Sequence, residues 1–345
     1  MKNKIKKIIN IILIVMLAIN LVGCNGKVFL TTGLDSDQLL KVSGNVVPMS
    51  VGKLVLATEM NRYTKDLGED IWDTQYEDTT LGEYLVDNVS RQLAELKAIS
   101  MLAKDKNISL TSAEGEKIDA AAEAYYKTLS HEDIEKLGIT QSDIRELYRE
   151  FMISEKLYQM VCDSVSVEIS DEEARVIKVQ YIFVKTYYPN EEGNMVEYTS
   201  DGKVAAKNRI IEAQGKLNAG NDFAMVAEEY SDDAVYEYEF GRGIMEEAFE
   251  EAAFSLEQNE LSDIVYADNG YYLIKCVNYY DQLKTEENKK QLLMKYKNQA
   301  FLDIYEPYLK AQSLEFNDNF GENYADDLSQ INGNLYEIYS EFMEE

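Results

Sequence analysis

The sequence predicts an α+β protein in which a small sheet-bearing unit is set between helical segments. Three observations predict it. Residues 50–165 repeat apolar side chains at helical spacing behind Ser/Thr-x-x-acid starts, and 175–280 switches to β-branched and aromatic runs broken by short helices. Helical spacing then returns from Thr285 to Gln312. At 345 residues the chain has room for two or three domains of roughly 100–200 residues each.

The first 23 residues stand apart. Lys2, Lys4, Lys6 and Lys7 precede an apolar stretch, Ile8 to Leu21, interrupted only by Asn10 and Asn20. This is the layout of a secretory signal rather than a fold element. It ends in Leu21-Val22-Gly23-Cys24, a lipobox-like sequence that predicts thioether lipidation of Cys24. Two or more acyl chains hold a protein stably where one does not, so the expected location is the outer face of the cytoplasmic membrane. No later segment is apolar for long enough to span a bilayer.

Loss of four lysines with the signal takes the net charge from −29 to −33. Such a surface excludes nucleic acid as a partner, because that binding needs phosphate neutralisation. It leaves two readings open, a merely solvated acidic surface or attraction of cationic segments or metal ions. Cys162 and Cys276 lie at the end of a helical region and in a strand more than a hundred residues later, and two buried thiols are expected.

Leu39 to Val47 reads as a hairpin around Ser-Gly-Asn. Helices follow at Val51–Lys65, after Thr80 with Leu85, Val89, Leu93, Leu96 and Ile99 on one face, after Thr111, and after Thr140. Ser170 to Glu173 predicts one more capping box, with the acids complementing a helix N-terminus. Val176–Lys185 is a strand, followed by a polar loop with Pro189 and Gly193. A helix carrying Ala206, Ile210, Ala213 and Leu217 stops at Gly220, and a short one carries Phe223, Val226, Ala227 and Tyr230. Beyond Gly241 and Gly243 come a helix in MEEAFEEAAFSL and strands near Ile264–Val265 and Tyr271–Val277. The tail from Asn317 is acidic and tyrosine-rich, and is expected to be partly helical or loosely held. His131, the one histidine, sits at a helix start facing solvent. There is no Cys/His metal spacing, no phosphate-cradling glycine loop and no Ser-His-Asp set, so neither metal nor cofactor is predicted.

The succession VQYIFVK, LNAGNDFAMVAEEYSDD, EFGRGIMEEAFEEAAFSL, LSDIV and NGYYLIKCV resembles the parvulin-type peptidyl-prolyl isomerase domain. With the lipobox and flanking helices, the whole chain resembles the extracytoplasmic foldase lipoproteins of the PrsA and SurA kind. The resemblance implies a helical chaperone-like domain built from N- and C-terminal segments, plus a small parvulin-like domain with an antiparallel sheet and surrounding helices. The implied division is a signal peptide at 1–23, an anchor and hairpin at 24–49, the helical domain at 50–170 and the parvulin-like domain at 171–282. A C-terminal helix at 283–316 packs back on the helical domain, and 317–345 is the acidic tail.

It also implies a site. Where parvulins usually carry histidines, this chain has Tyr181 and Tyr272, and Asp233 matches the acidic or cysteine position after Tyr-Ser-Asp. Met245 and Phe249 match the apolar wall for a proline ring, and Asn269 matches a polar position. The usual Gly-Gly-Asp-Leu-Gly stretch appears as Glu237-Tyr238-Glu239-Phe240-Gly241, which puts Phe240 at the groove. The candidate polar residues are thus Tyr181, Asp233 and Tyr272, and the candidate substrate-binding residues Phe240, Met245, Phe249 and Asn269. Equally, Tyr181 and Tyr272 read as ordinary half-buried sheet residues, and Met245 and Phe249 as core.

Tyrosine supplies a planar donor and one acceptor, but lacks the readily switched nitrogens of imidazole. Two readings follow from the resemblance: a membrane-tethered foldase whose partners are unfolded or newly secreted polypeptides, or an active prolyl isomerase. A solute-binding or structural lipoprotein is the third, and it should show strands alternating with helices through two lobes. Residues 50–165 instead show helices alone.

Overall fold

The computed structural model describes residues 28–30, 33–68, 71–321, 328 and 331–344. The predicted signal segment and Cys24 lie outside the described residues. Packing divides the chain into two units, one formed by residues up to Val165 together with those from Lys297, the other by Ser166–Tyr296.

The chain enters through β1 (Val28–Leu30) and the hairpin β2 (Gln38–Val42) and β3 (Asn45–Pro48), which turns at Ser43 and Gly44 with positive φ at both. Helix α1 (Met49–Leu67) buries Leu54, Leu56 and Met60. A small hairpin of β4 (Gln75–Tyr76) and β5 (Thr79–Thr80) leads into α2 (Leu81–Asp105), α3 (Ser112–Tyr126), α4 (His131–Leu137) and α5 (Gln141–Ser164). Each of these four helices starts at a reciprocal capping box, led by Thr80, Thr111, Ser130 and Thr140. The box satisfies two otherwise orphaned backbone N–H groups at each start, which is why the boundaries could be read locally. His131 lies on the first turn of α4, with its ring in solvent 3.3 Å from Glu135.

In the second unit, α6 (Asp171–Ala174) begins with only half of the predicted box. The Ser170 hydroxyl accepts from Glu173 N, but the Glu173 carboxylate is taken by the Tyr296 hydroxyl at 2.6 Å. Then come β6 (Val176–Lys185), the hairpin β7 (Tyr187–Pro189) and β8 (Met195–Glu197), α7 (Ser200–Asn218) and α8 (Phe223–Tyr230). They are followed by β9 (Glu237–Gly241), α9 (Glu247–Ser255), β10 (Val265–Ala267) and β11 (Gly270–Asn278). The sheet runs β10-β11-β6-β9, antiparallel at every step. Alternation along β6 sends Ile177, Val179, Tyr181 and Phe183 to one face, with α9, and Ile182 and Val184 to the other, under α7 and α8. A sheet buried on both faces explains the nearly unbroken apolar run of β6.

Helix α10 (Gln282–Lys310) follows, then β12 (Leu314–Phe316) and α11 (Leu335–Glu344). β12 lies between β1 and β2, parallel to the first and antiparallel to the second, so both ends of the chain share one four-stranded sheet. The described part of the tail differs from a loosely held segment. Phe320 is buried near Gly52 of α1, and Leu335, Tyr336, Ile338 and Tyr339 are buried in the core of the first unit, where the apolar face of α11 meets α3 and α5 while Glu337 and Glu341 face solvent. Cys162 and Cys276 are free, buried thiols in different units. No helix among the described residues is long and apolar enough to cross a membrane.

Candidate functional site

The two tyrosines of interest meet because their strands pair. In the β6–β11 register Tyr272 stands opposite Phe183 and Ile274 opposite Tyr181, so Tyr181 and Tyr272 are diagonal neighbours on one face. Their ring centroids are 6.1 Å apart. Tyr271, next in sequence, turns to the opposite face and packs against Tyr266 at 5.1 Å.

Helix α9 lays Phe249 across both rings, edge-on, at 5.7 Å from Tyr181 and 5.0 Å from Tyr272. Phe240, from the edge strand β9, closes on Phe249 at 5.9 Å. Exposure is 9% for Tyr181, 6% for Tyr272, 4% for Phe240 and 1% for Phe249. These rings are therefore a packed wall, with no space for a proline ring between them. Met245, at the entry to α9, is half-buried against the same cluster. Phe183 also belongs to it, stacked on Tyr272 at 4.6 Å. It was not among the residues singled out from the sequence, although its place two residues from Tyr181 on a strand put it on the same face.

The hydroxyls reach the edge of this wall. Tyr181 donates to Asp233 Oδ2 at 3.0 Å, and Asn269 Nδ2 donates to the Tyr272 hydroxyl at 3.0 Å. Asp233 is placed by a loop clamped along β6. Ser231 Oγ accepts from Phe183 N, Asp232 N donates to Phe183 O, Asp232 Oδ2 accepts from Lys185 N, and Tyr181 N donates to Tyr236 O. Asn269 sits in the two-residue turn between β10 and β11, which is tied to α9 where Asp268 N donates to Glu246 Oε1 at 2.7 Å. Burial pushes the Tyr272 phenol up to about 12, against the hydrogen bond from Asn269, and the Asp233 and Glu246 charges act in the same upward direction. Burial, then Asp233, pushes Tyr181 well above the usual phenol range. Both phenols are therefore neutral hydroxyls at physiological pH. Asn269 Oδ1, buried beside Tyr272, has no hydrogen-bond partner among the described residues.

On the Asp233 side a surface cavity of about 570 Å³ opens between α8 and the following loop, lined by Met225, Ser231, Asp232, Asp233, Ala234 and Tyr236 among others. Neither Met245 nor Phe249 lines it. The seven residues expected at the groove thus gather at one face of one sheet, Tyr181, Phe240, Met245, Phe249 and Tyr272 in the wall and Asp233 and Asn269 at its rim.

Residues 188–278 match the family model for the rotamase, PPIC-type peptidyl-prolyl isomerase domain. That span takes in Asp233, Phe240, Met245, Phe249, Asn269 and Tyr272 and begins after Tyr181. Over 339 residues the chain is 27% identical to the foldase protein PrsA of Caldanaerobacter subterraneus, covering 92% of this chain and 97% of the relative. It is 36% identical over 98 residues to foldase protein PrsA 4 of Bacillus cereus, covering 27% of this chain and 35% of that one. The crystal structure of peptidylprolyl isomerase PrsA from Bacillus cereus is 21% identical with a TM-score of 0.36, covering 78% of this chain and 97% of that chain. Residues 188–278 thus match a PPIC-type domain, and over 92% of its length the chain carrying it is PrsA-like.

Proposed function

We propose that this foldase is tethered outside the cell membrane through lipidated Cys24, and that it holds proline-containing segments of unfolded client chains at the rim of the Tyr181–Tyr272 site. On this reading the first unit is the chaperone-like body and the second the parvulin-like domain. Holding, rather than fast prolyl isomerisation, is its main task. The basic and apolar signal ending in Cys24 supports the location.

One observation carries the reading of the site. Both positions where parvulins usually present imidazoles hold neutral phenols, and each hydroxyl is already engaged, with Asp233 or with Asn269. The Tyr272 hydroxyl keeps its own hydrogen to donate, so a prolyl amide, which has a carbonyl but no N–H, meets one donor there. A donor to the carbonyl oxygen favours the planar amide, because twisting removes the resonance charge from that oxygen. Isomerisation must lower a barrier of about 18–20 kcal/mol, and only interactions stronger in the twisted state do that.

A protease-coupled assay on a short proline peptide tests this. The expected rate is close to the uncatalysed one, with a clear gain for the Tyr181→His/Tyr272→His double variant. Fast turnover by the natural chain, lost in Tyr272→Phe, favours the active-isomerase reading instead, which the retained apolar wall of Phe240, Met245 and Phe249 supports.

A further inference from the structure

The C-terminal segment is seated on the first unit in an unusual way. Three side chains from three different helices reach its main chain rather than its side chains. Asn61 of α1 donates to the carbonyl of Ile331, Tyr125 of α3 donates to that of Asn332 at 2.7 Å, and Tyr148 of α5 donates to that of Leu335 at 2.7 Å. The side chains of α11 add apolar and aromatic contacts and one hydrogen bond, from the Tyr339 hydroxyl to Glu155 Oε2 at 3.3 Å. Tyr339 lies 5.1 Å from Tyr148 and 5.6 Å from Phe151, and Tyr336 lies 6.0 Å from Phe151. Carbonyl groups are common to every polypeptide, so a groove that reads them and offers aromatic faces selects a class of segment, not a sequence.

The seat is also poorly satisfied. Asn334 Oδ1 and Ser340 Oγ on the segment, and Glu155 Oε1 on α5, are buried with no hydrogen-bond partner among the described residues. Every such group regains a partner in water when the segment leaves, which keeps the contact displaceable despite its apolar area.

We propose that the groove formed by α1, α3 and α5 is a client site for amphipathic helical segments bearing aromatic residues, and that residues 331–344 are its built-in occupant, displaced when a client segment enters. The proposal rests on the foldase reading but not on the prolyl site. It makes α11 a gate on client capture.

A fluorescent peptide of residues 331–344 tests it with no client protein present, so a failure here is distinct from a failure of the foldase reading, which aggregation assays read. Added to the full chain and to its Tyr336→Ala/Tyr339→Ala variant, the peptide is expected to bind the variant at least about tenfold more tightly, because the natural site is mostly occupied. Equal affinities, or no binding to a variant whose circular dichroism is native, overturn the proposal. Should the variant unfold, hydrogen exchange on the natural chain decides. α11 amides exchanging faster than those of α3 and α5, and faster still with excess peptide, support the gate. α11 exchanging in step with α5, unmoved by peptide, marks it as fixed core and overturns it.

Discussion

Tyr272 shows how one residue serves two masters. Its ring packs against Phe183, Tyr181 and Phe249 while its hydroxyl meets Asn269 at the rim. Truncation and deoxygenation should therefore separate. Tyr272→Ala opens a hole in a closed aromatic cluster and is expected to cost about 3–5 kcal/mol, measured by chemical denaturation. Tyr272→Phe keeps the packing and loses one hydrogen bond, for about 1 kcal/mol. Gly270, two residues earlier, has φ +156°, and a Cβ there would sit 2.3 Å from Val184 O and 2.7 Å from Phe183 Cε2. Gly270→Ala is expected to cost on the order of 2 kcal/mol or more through forced backbone movement, and to lower the melting temperature of the second unit. The sequence showed which residue types collect here, Tyr181, Asp233, Met245, Phe249, Asn269 and Tyr272, because their spacing follows a family pattern. It did not show that Tyr181 and Tyr272 close against Phe249, since packing across strands depends on register.

At the scale of elements, what is local was legible and what is remote was not. The boxes at Thr80, Thr111 and Thr140 announce their helices within four residues, and Thr111→Ala should cost about 1 kcal/mol. β12 gave no such signal, because it is three residues long and its partners β1 and β2 lie some 270 residues earlier. β9 was hidden by its charge: Glu237 and Glu239 on an edge strand read as loop, though they are also what discourages a further strand from adding. α11 looked like tail because acids outnumber bases around it, yet its apolar face is continuous. Its neighbour Glu155 is pushed up by burial to about 7, opposed by the hydrogen bond from Tyr339, and Glu95 on α2 is pushed up by burial to about 8. A carboxyl that stays neutral in the folded chain but ionises near 4.5 when unfolded favours unfolding as pH rises between those values. The first unit is thus expected to lose stability from about pH 4.5 to about pH 8 and then level off, with Glu155→Gln flattening the curve, measured as the denaturant midpoint across that range.

For the whole molecule, the interleaving of β1, β12 and β2 joins the two ends of the chain, so the first unit cannot complete its sheet until the second has been made. Cys162 and Cys276 are free thiols buried in separate units, and burial raises both. A thiol reagent is expected to modify neither Cys162 nor Cys276 in the native chain and both after denaturation. On the proposed reading this parvulin-type chain acts on clients by holding them, with Tyr181 and Tyr272 in place of the groups that speed isomerisation. Refolding a denatured, proline-limited model protein with the mature chain present tests this most directly. The expected result is a higher yield of soluble product with the slow proline-limited phase unchanged in rate. An unchanged yield, or a slow phase strongly accelerated by the chain and restored to its uncatalysed rate by Tyr272→Phe, would contradict it.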